Sequence, residues 1–124
     1  SRGLGDVYKR QFYQEGGSPE FDDGIKAWLN EDSTAMTNNG GNDTIAAVTA
    51  MGYDAYYVAL EALKAAGSTD PAAVKAALPG VTYTGVTGDI AFDDIGDAIR
   101  DTAYIKVADT ANNAWALETM QKAG

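Results

Sequence analysis

The sequence contains no cysteine and no histidine. Without cysteine there can be no thiol nucleophile, no disulfide and no thiolate zinc site. Without histidine the usual general base near neutral pH is missing. Any catalytic site would have to be built from carboxylates, Lys, Tyr or Ser/Thr. Basic residues are also scarce, 9 Lys and Arg against 18 Asp and Glu, giving a formal charge of -9 over 124 residues. Such a surface repels phosphate backbones and anionic lipid, so nucleic acid is not an expected partner. The apolar share, 45%, is that of an ordinary globular domain.

The first residues stand apart. Ser1 to Gln11 (SRGLGDVYKRQ) carries Arg2, Lys9 and Arg10 in a chain that is otherwise acidic. It resembles a translated sequencing-adapter read-through. Residues 1–11 are therefore expected to be such a scar or a disordered arm, with the native start missing and no signal sequence in view.

Helix signals follow. Ser18 as cap, Pro19 at the first position and acidic Glu20, Asp22 and Asp23 predict a helix over Pro19 to Asn30. Phe21, Ile25, Trp28 and Leu29 share its apolar face. Glu31 to Asp43, with Asn38-Asn39-Gly40-Gly41-Asn42, reads as a loop. A second helix is predicted from Thr44 to Ala66, capped by Asp43 or Thr44 and stopped by Gly67. Between Ile45 and Ala66 only Thr49, Gly52, Asp54, Glu61 and Lys64 are not apolar. A helix apolar on most of its circumference either spans a membrane or is buried on more than one side. Asp54 near its middle would cost about 2.5–3.5 kcal/mol in a bilayer, so the protein is not expected to be transmembrane, and burial is expected instead. Asp70-Pro71 starts a third, short helix ending at Pro79-Gly80.

From Val81 the period changes to that of extended chain. Strands are predicted at Asp89 to Phe92, Thr102 to Val107 and Trp115 to Thr119. Asp93 to Asp97 forms a turn, with Gly96 at positive φ. Three helices and three short strands cannot cover both sides of the second helix, because a two-layer core needs a broad sheet. The chain is thus expected to be a fragment.

The residues then invite a comparison. Met51-Gly52-Tyr53-Asp54-Ala55-Tyr56-Tyr57 is followed by Ala65-Ala66-Gly67-Ser68-Thr69-Asp70-Pro71. Next come Tyr83-Thr84-Gly85-Val86-Thr87-Gly88 and Phe92-Asp93, with Gly96-Asp97 after them. In this order and spacing they resemble the late region of type I periplasmic-binding-fold proteins, in particular the branched-chain amino-acid (Leu/Ile/Val) subfamily. The likeness runs from about Phe12 to Val107. It implies an α/β fold, as a C-terminal fragment of two lobes joined by three crossover strands, made of helices plus a short antiparallel strand pair. Residues 12–100 would belong to the first ligand-binding lobe, and residues 101–124 to the crossover and return to the second. It further implies an extracytoplasmic, periplasmic or lipoprotein-anchored solute-binding component. This component would capture a branched-chain or other small amino acid in the inter-lobe cleft and deliver it to an inner-membrane ABC permease, with no catalysis and no cofactor. A ligand-sensing receptor ectodomain of the same fold is the alternative, and a small carboxylate-based enzyme a further one. Against the enzyme stands the lack of any paired-acid motif or nucleophile elbow.

In the resembled family the start of the long helix lies toward the cleft. This nominates Ala50, Met51 and Tyr53 as ligand-contact residues. Asp54 could meet a ligand ammonium or satisfy backbone or a neighbouring side chain at the first turns, and the second reading is preferred. Tyr53, Tyr56 and Tyr57 suggest an aromatic cage, but their helical spacing favours packing roles. Asp93, Asp94 and Asp97 lack the terminal Glu of a calcium loop and fit a hairpin turn better.

Overall fold

The computed structural model describes residues 7–10, 18–100 and 102–122. Helix α1 runs from Pro19 to Glu31. Ser18 holds the cap position, but its hydroxyl makes no capping bond to described backbone, and Pro19 with acidic Glu20 and Asp22 opens the helix. Phe21 and Leu29 are buried, while Trp28 is exposed.

The polar segment after α1 is not all loop. Helix α2, Ser33–Asn38, lies inside it. The Asp32 carboxylate accepts from the Thr34 and Ala35 amides, at 2.8 and 3.0 Å. This cap supports a single turn and a half whose composition reads as coil.

Helix α3, Ala47–Ala66, begins three residues later than predicted. Neither Asp43 nor Thr44 caps it; the cap position is Ala46. Asn42 Oδ1 accepts from the Thr44 amide at 2.9 Å, and Asn39 Nδ2 donates to the Thr44 carbonyl at 2.9 Å. Ile45 is buried with Phe21 and Ala50. Both effects keep residues 44–46 extended. Gly67 ends the helix in the left-handed region, φ 59°, its amide bonding to Leu63 and Lys64 carbonyls.

Helix α4, Pro71–Ala77, starts as predicted, with the Asp70 carboxylate accepting from the Ala73 amide at 3.2 Å. A 3-10 turn, Leu78–Gly80, closes it.

The strands form two antiparallel sheets. The first strand, β1, is Val7–Arg10, within the stretch set apart in the sequence; residues 1–6 and 11 lie outside the described residues. Strands β2 (Tyr83–Gly85), β3 (Gly88–Phe92) and β4 (Ala98–Arg100) make one sheet in that order. Strands β5 (Thr102–Asp109) and β6 (Ala114–Lys122) pair in a long hairpin, and β1 adds to β5, giving the order β1-β5-β6. The β3–β4 turn is built as the sequence suggests: Gly96 has φ 92°, and Asp93 Oδ1 accepts from the Ile95 and Asp97 amides. That explains the aspartates as hairpin residues.

Two apolar clusters hold the helices to the first sheet. Phe21, Ile45 and Ala50 form one, with Ile25, Ala47 and Val86 against it. Val58, Ala62, Val81 and Ile90 form the other, flanked by Val74, Leu78, Tyr83 and Phe92. The covered stripe of α3 is Ala50, Asp54, Val58 and Ala62, a strict four-residue repeat. Among the described residues of α3 only that stripe is buried, whereas the sequence predicts burial on more than one side. Val48, Met51, Tyr56 and Leu63 face outward, because strands of three to five residues are too short to wrap the helix. Among the described residues no helix is long and apolar enough to cross a membrane.

Candidate functional site

The three nominated residues lie in consecutive turns of α3 but on different faces. Ala50 has no exposed surface and supports the helix from behind, in the Phe21–Ile45 cluster. Met51 is exposed and lines an apolar groove of about 620 Å³ along α3, α4 and β3, together with Val58, Leu78 and Phe92. Tyr53, 41% exposed, lines a separate recess of about 430 Å³. Two residues along a helix are about 200° apart, which is why Met51 and Tyr53 open onto different concavities.

The Tyr53 recess is walled by Tyr83, Thr84, Gly85, Val86 and Tyr104. Its aromatic side is a ladder rather than a cage. Phe21 meets Tyr53 edge-on at 4.9 Å between ring centroids, Tyr53 meets Tyr57 at 5.0 Å, and Tyr57 stacks on Tyr83 at 6.1 Å and 12°. Tyr56 turns outward and touches only the edge of Tyr57 among these rings, at 5.3 Å. Offset and edge contacts of this kind stabilise beyond the area they bury. The hydrogen bond with Tyr57 raises the Tyr53 phenol pKa, and burial adds to it. Burial first, and then the Asp54 charge, raises that of Tyr83. Both phenols therefore stay protonated at neutral pH, with one hydrogen-bonding position of Tyr53 already taken by Tyr57.

Behind the recess sits Asp54, with no exposed surface. Its Oδ1 accepts from the Val86 amide at 2.9 Å, and its Oδ2 accepts from the Thr87 amide at 2.8 Å and the Thr87 hydroxyl at 2.5 Å. Arg100 Nη1 in turn donates to the Thr87 hydroxyl oxygen. A buried carboxylate is tolerated when charge-assisted bonds replace its water, and here two amides and a hydroxyl do so. Asp54 thus serves backbone, as its preferred reading had it, but the amides belong to a turn 32 and 33 residues away and not to the first turns of its own helix. A Cβ at Gly85 would overlap the Asp54 carboxylate, so glycine is required there for contact, not for its own torsions.

Thr87, Gly85, Tyr83 and Arg100 were not nominated as site residues from the sequence, although the first three stand in one of its motifs. The signal for Gly85 was present in the Tyr83-x-Gly85-x-x-Gly88 spacing, since a glycine inside a strand often marks a close approach. Thr87 and Arg100 carry no such mark, being 13 residues apart in sequence.

Comparison with known proteins places this arrangement. A family profile described as periplasmic binding protein matches residues 11–112. The chain is similar in structure to a leucine-binding protein, LivK, from Thermotoga maritima. TM-score is 0.63 and identity 23%, covering 96% of this chain and 31% of that one. It is similar also to a solute-binding protein of an ABC transporter from Rhodopseudomonas palustris HaA2, in complex with p-hydroxybenzoic acid. There TM-score is 0.61 and identity 21%, with 98% and 32% of the two chains covered. An ABC-type branched-chain amino acid transporter from Rhodopseudomonas palustris CGA009 matches with TM-score 0.61 and 20% identity, over 96% and 31%. At these identities the likeness is one of fold. This chain spans about a third of the length of those structures. No curated protein matches it. The helix-and-strand order matches part of the type I periplasmic-binding fold, and with the profile extending over most of its residues the chain belongs to the periplasmic binding protein family.

Proposed function

We propose that this chain contributes one wall of the cleft in an extracytoplasmic solute-binding protein that captures a small amino acid, branched-chain ones first, and passes it to an ABC permease. Residues 12–100 are assigned to the first lobe and residues 101–124 to a crossover and return to the second. The observation that carries this reading is the family match over residues 11–112. Structurally similar proteins include a leucine-binding protein and one in complex with p-hydroxybenzoic acid, so a small organic acid with an aromatic ring is the neighbouring ligand class. Capture needs no chemistry: affinity comes from enclosing the ligand between apolar walls and a few convergent polar groups. Of the nominated residues, Tyr53 and Met51 present accessible surface on two separate concavities, the Tyr53 recess being the one with polar groups for this, and Ala50 is buried behind the helix.

The test is calorimetric titration of the full-length protein that carries this chain with leucine, isoleucine, valine and p-hydroxybenzoate. Micromolar or tighter binding to at least one of them is expected. Absence of heat across that series, with the protein folded, would overturn the reading.

A further inference from the structure

The groups behind the recess form a polarised array. The Thr87 hydroxyl gives its proton to Asp54 and accepts from Arg100. A hydroxyl has one proton, so donating to the carboxylate leaves only its lone pairs for the guanidinium. The order is therefore cation, hydroxyl, carboxylate, and it cannot be reversed. Asp54 and Thr87 are both almost fully buried, at 0% and 2% exposure. Asp54 belongs to α3, Thr87 to the turn between β2 and β3, and Arg100 to the end of β4. One carboxylate thus ties a helix to a turn 32 and 33 residues away. The same turn carries Gly85 and Val86, which line the recess beside Tyr53.

We infer that Asp54, Thr87 and Arg100 are positioning residues for ligand capture. They touch no ligand themselves, but by holding the Gly85–Gly88 turn against α3 they set the gap between Tyr53 and Tyr83. This rests on the proposed function, because it takes the recess to face the ligand. The Thr87 hydroxyl is the informative member. Its removal leaves both backbone amides on Asp54 and disconnects only Arg100 and one bond to the carboxylate. Val has nearly the volume of Thr, so T87V tests polarity with little change of shape, and T87S restores the hydroxyl.

The experiment uses the full-length protein, T87V and T87S. Ligand affinity is measured by calorimetry with leucine and p-hydroxybenzoate, well below the unfolding temperature, and amide hydrogen exchange is followed at Val86 and Thr87. In T87V, exchange at both amides should quicken and affinity should fall by about tenfold, the scale of one lost bond to a charged group. T87S should stay within about fourfold of the parent in both, the residual cost of one buried methyl group. Unchanged exchange in T87V would overturn the array as a tether. Faster exchange with unchanged affinity, in a parent that binds, would overturn its role in capture. Should the parent bind neither ligand while exchange in T87V quickens, the functional reading fails for those ligands and the tether is supported.

Discussion

Two stretches of this chain are held together by different forces. From Ile45 to Arg100, helix and strand are joined by contacts between residues far apart in sequence: two apolar clusters and the Asp54 carboxylate. From Thr102 to Lys122 the chain is a hairpin held mainly by its own ladder, with Tyr104 its one buried apolar residue among those described. Trp115, Leu117 and Met120 on β6 are exposed, Trp115 at 44%. Backbone pairing gives the hairpin its register, but the side chains that would anchor it on a core face outward. The lesson is that regular structure and tertiary anchoring are separate achievements: β6, the longest strand among the described residues, is among the least buried of them.

Substitutions can break this contrast, and the largest effect is expected at Asp54. Asp54→Ala leaves the half-buried Val86 amide and the buried Thr87 amide and hydroxyl without their acceptor, and Arg100 without the carboxylate that polarises that hydroxyl. A loss of about 3–5 kcal/mol is expected, the cost of removing one partner from a buried charged network. Chemical denaturation reads it directly, and a loss below about 1 kcal/mol would mean that the network contributes little. Gly85→Ala comes next. Its Cβ meets the Asp54 carboxylate, and overpacking of this kind costs about 1–3 kcal/mol; the same unfolding curves measure it.

A third test sharpens the contrast by pH. The raised phenol pKa values of Tyr53 and Tyr83 mean that the folded state holds these protons more tightly than the unfolded one. Their contribution is complete below the unfolded phenol value, about 10, and is lost as pH rises from there through the folded values. Thermal melts of the parent should weaken in that alkaline window, and Tyr53→Phe should flatten the loss. An identical alkaline profile in Tyr53→Phe would remove Tyr53 from the ladder's titration.

The smallest effect is expected in the hairpin. Trp115→Ser and Met120→Ser remove exposed apolar surface and should change stability by no more than about 0.5 kcal/mol each. A loss several times larger, seen in the same denaturation experiment, would show that β6 is covered in the full-length protein and that the contrast belongs to this chain alone.

Much of the fold was legible in the residues. Asp70-Pro71 announced α4, and Gly67 marked the end of α3, because a cap and a left-handed glycine act locally and leave their signature at one position. Gly96 and Asp93 did the same for the β3–β4 turn. Misplaced elements had non-local causes. The start of α3 slid to Ala47 because Ile45 is drawn into a cluster with Phe21, 24 residues earlier. Helix α2 went unseen because its apolar content is too thin for periodicity, and only Asp32 marks it.

For the candidate site the division is similar. Ala50, Met51 and Tyr53 were nominated from a resemblance that located a helix start, and location along a helix does not specify direction. The structure gives one a buried face, one an apolar groove and one a polar recess. By itself the sequence determined the acidic surface, the lack of thiol and imidazole chemistry, the helices with strong caps and the order of motifs that marks the family. Only the tertiary structure decided that Asp54 meets Val86 and Thr87, that Gly85 must lack a side chain, and that Arg100 reaches the same hydroxyl. The reason is physical: capping and turn preferences are energies of neighbouring residues, whereas a buried carboxylate finds its partners only once distant segments have been brought within hydrogen-bonding distance.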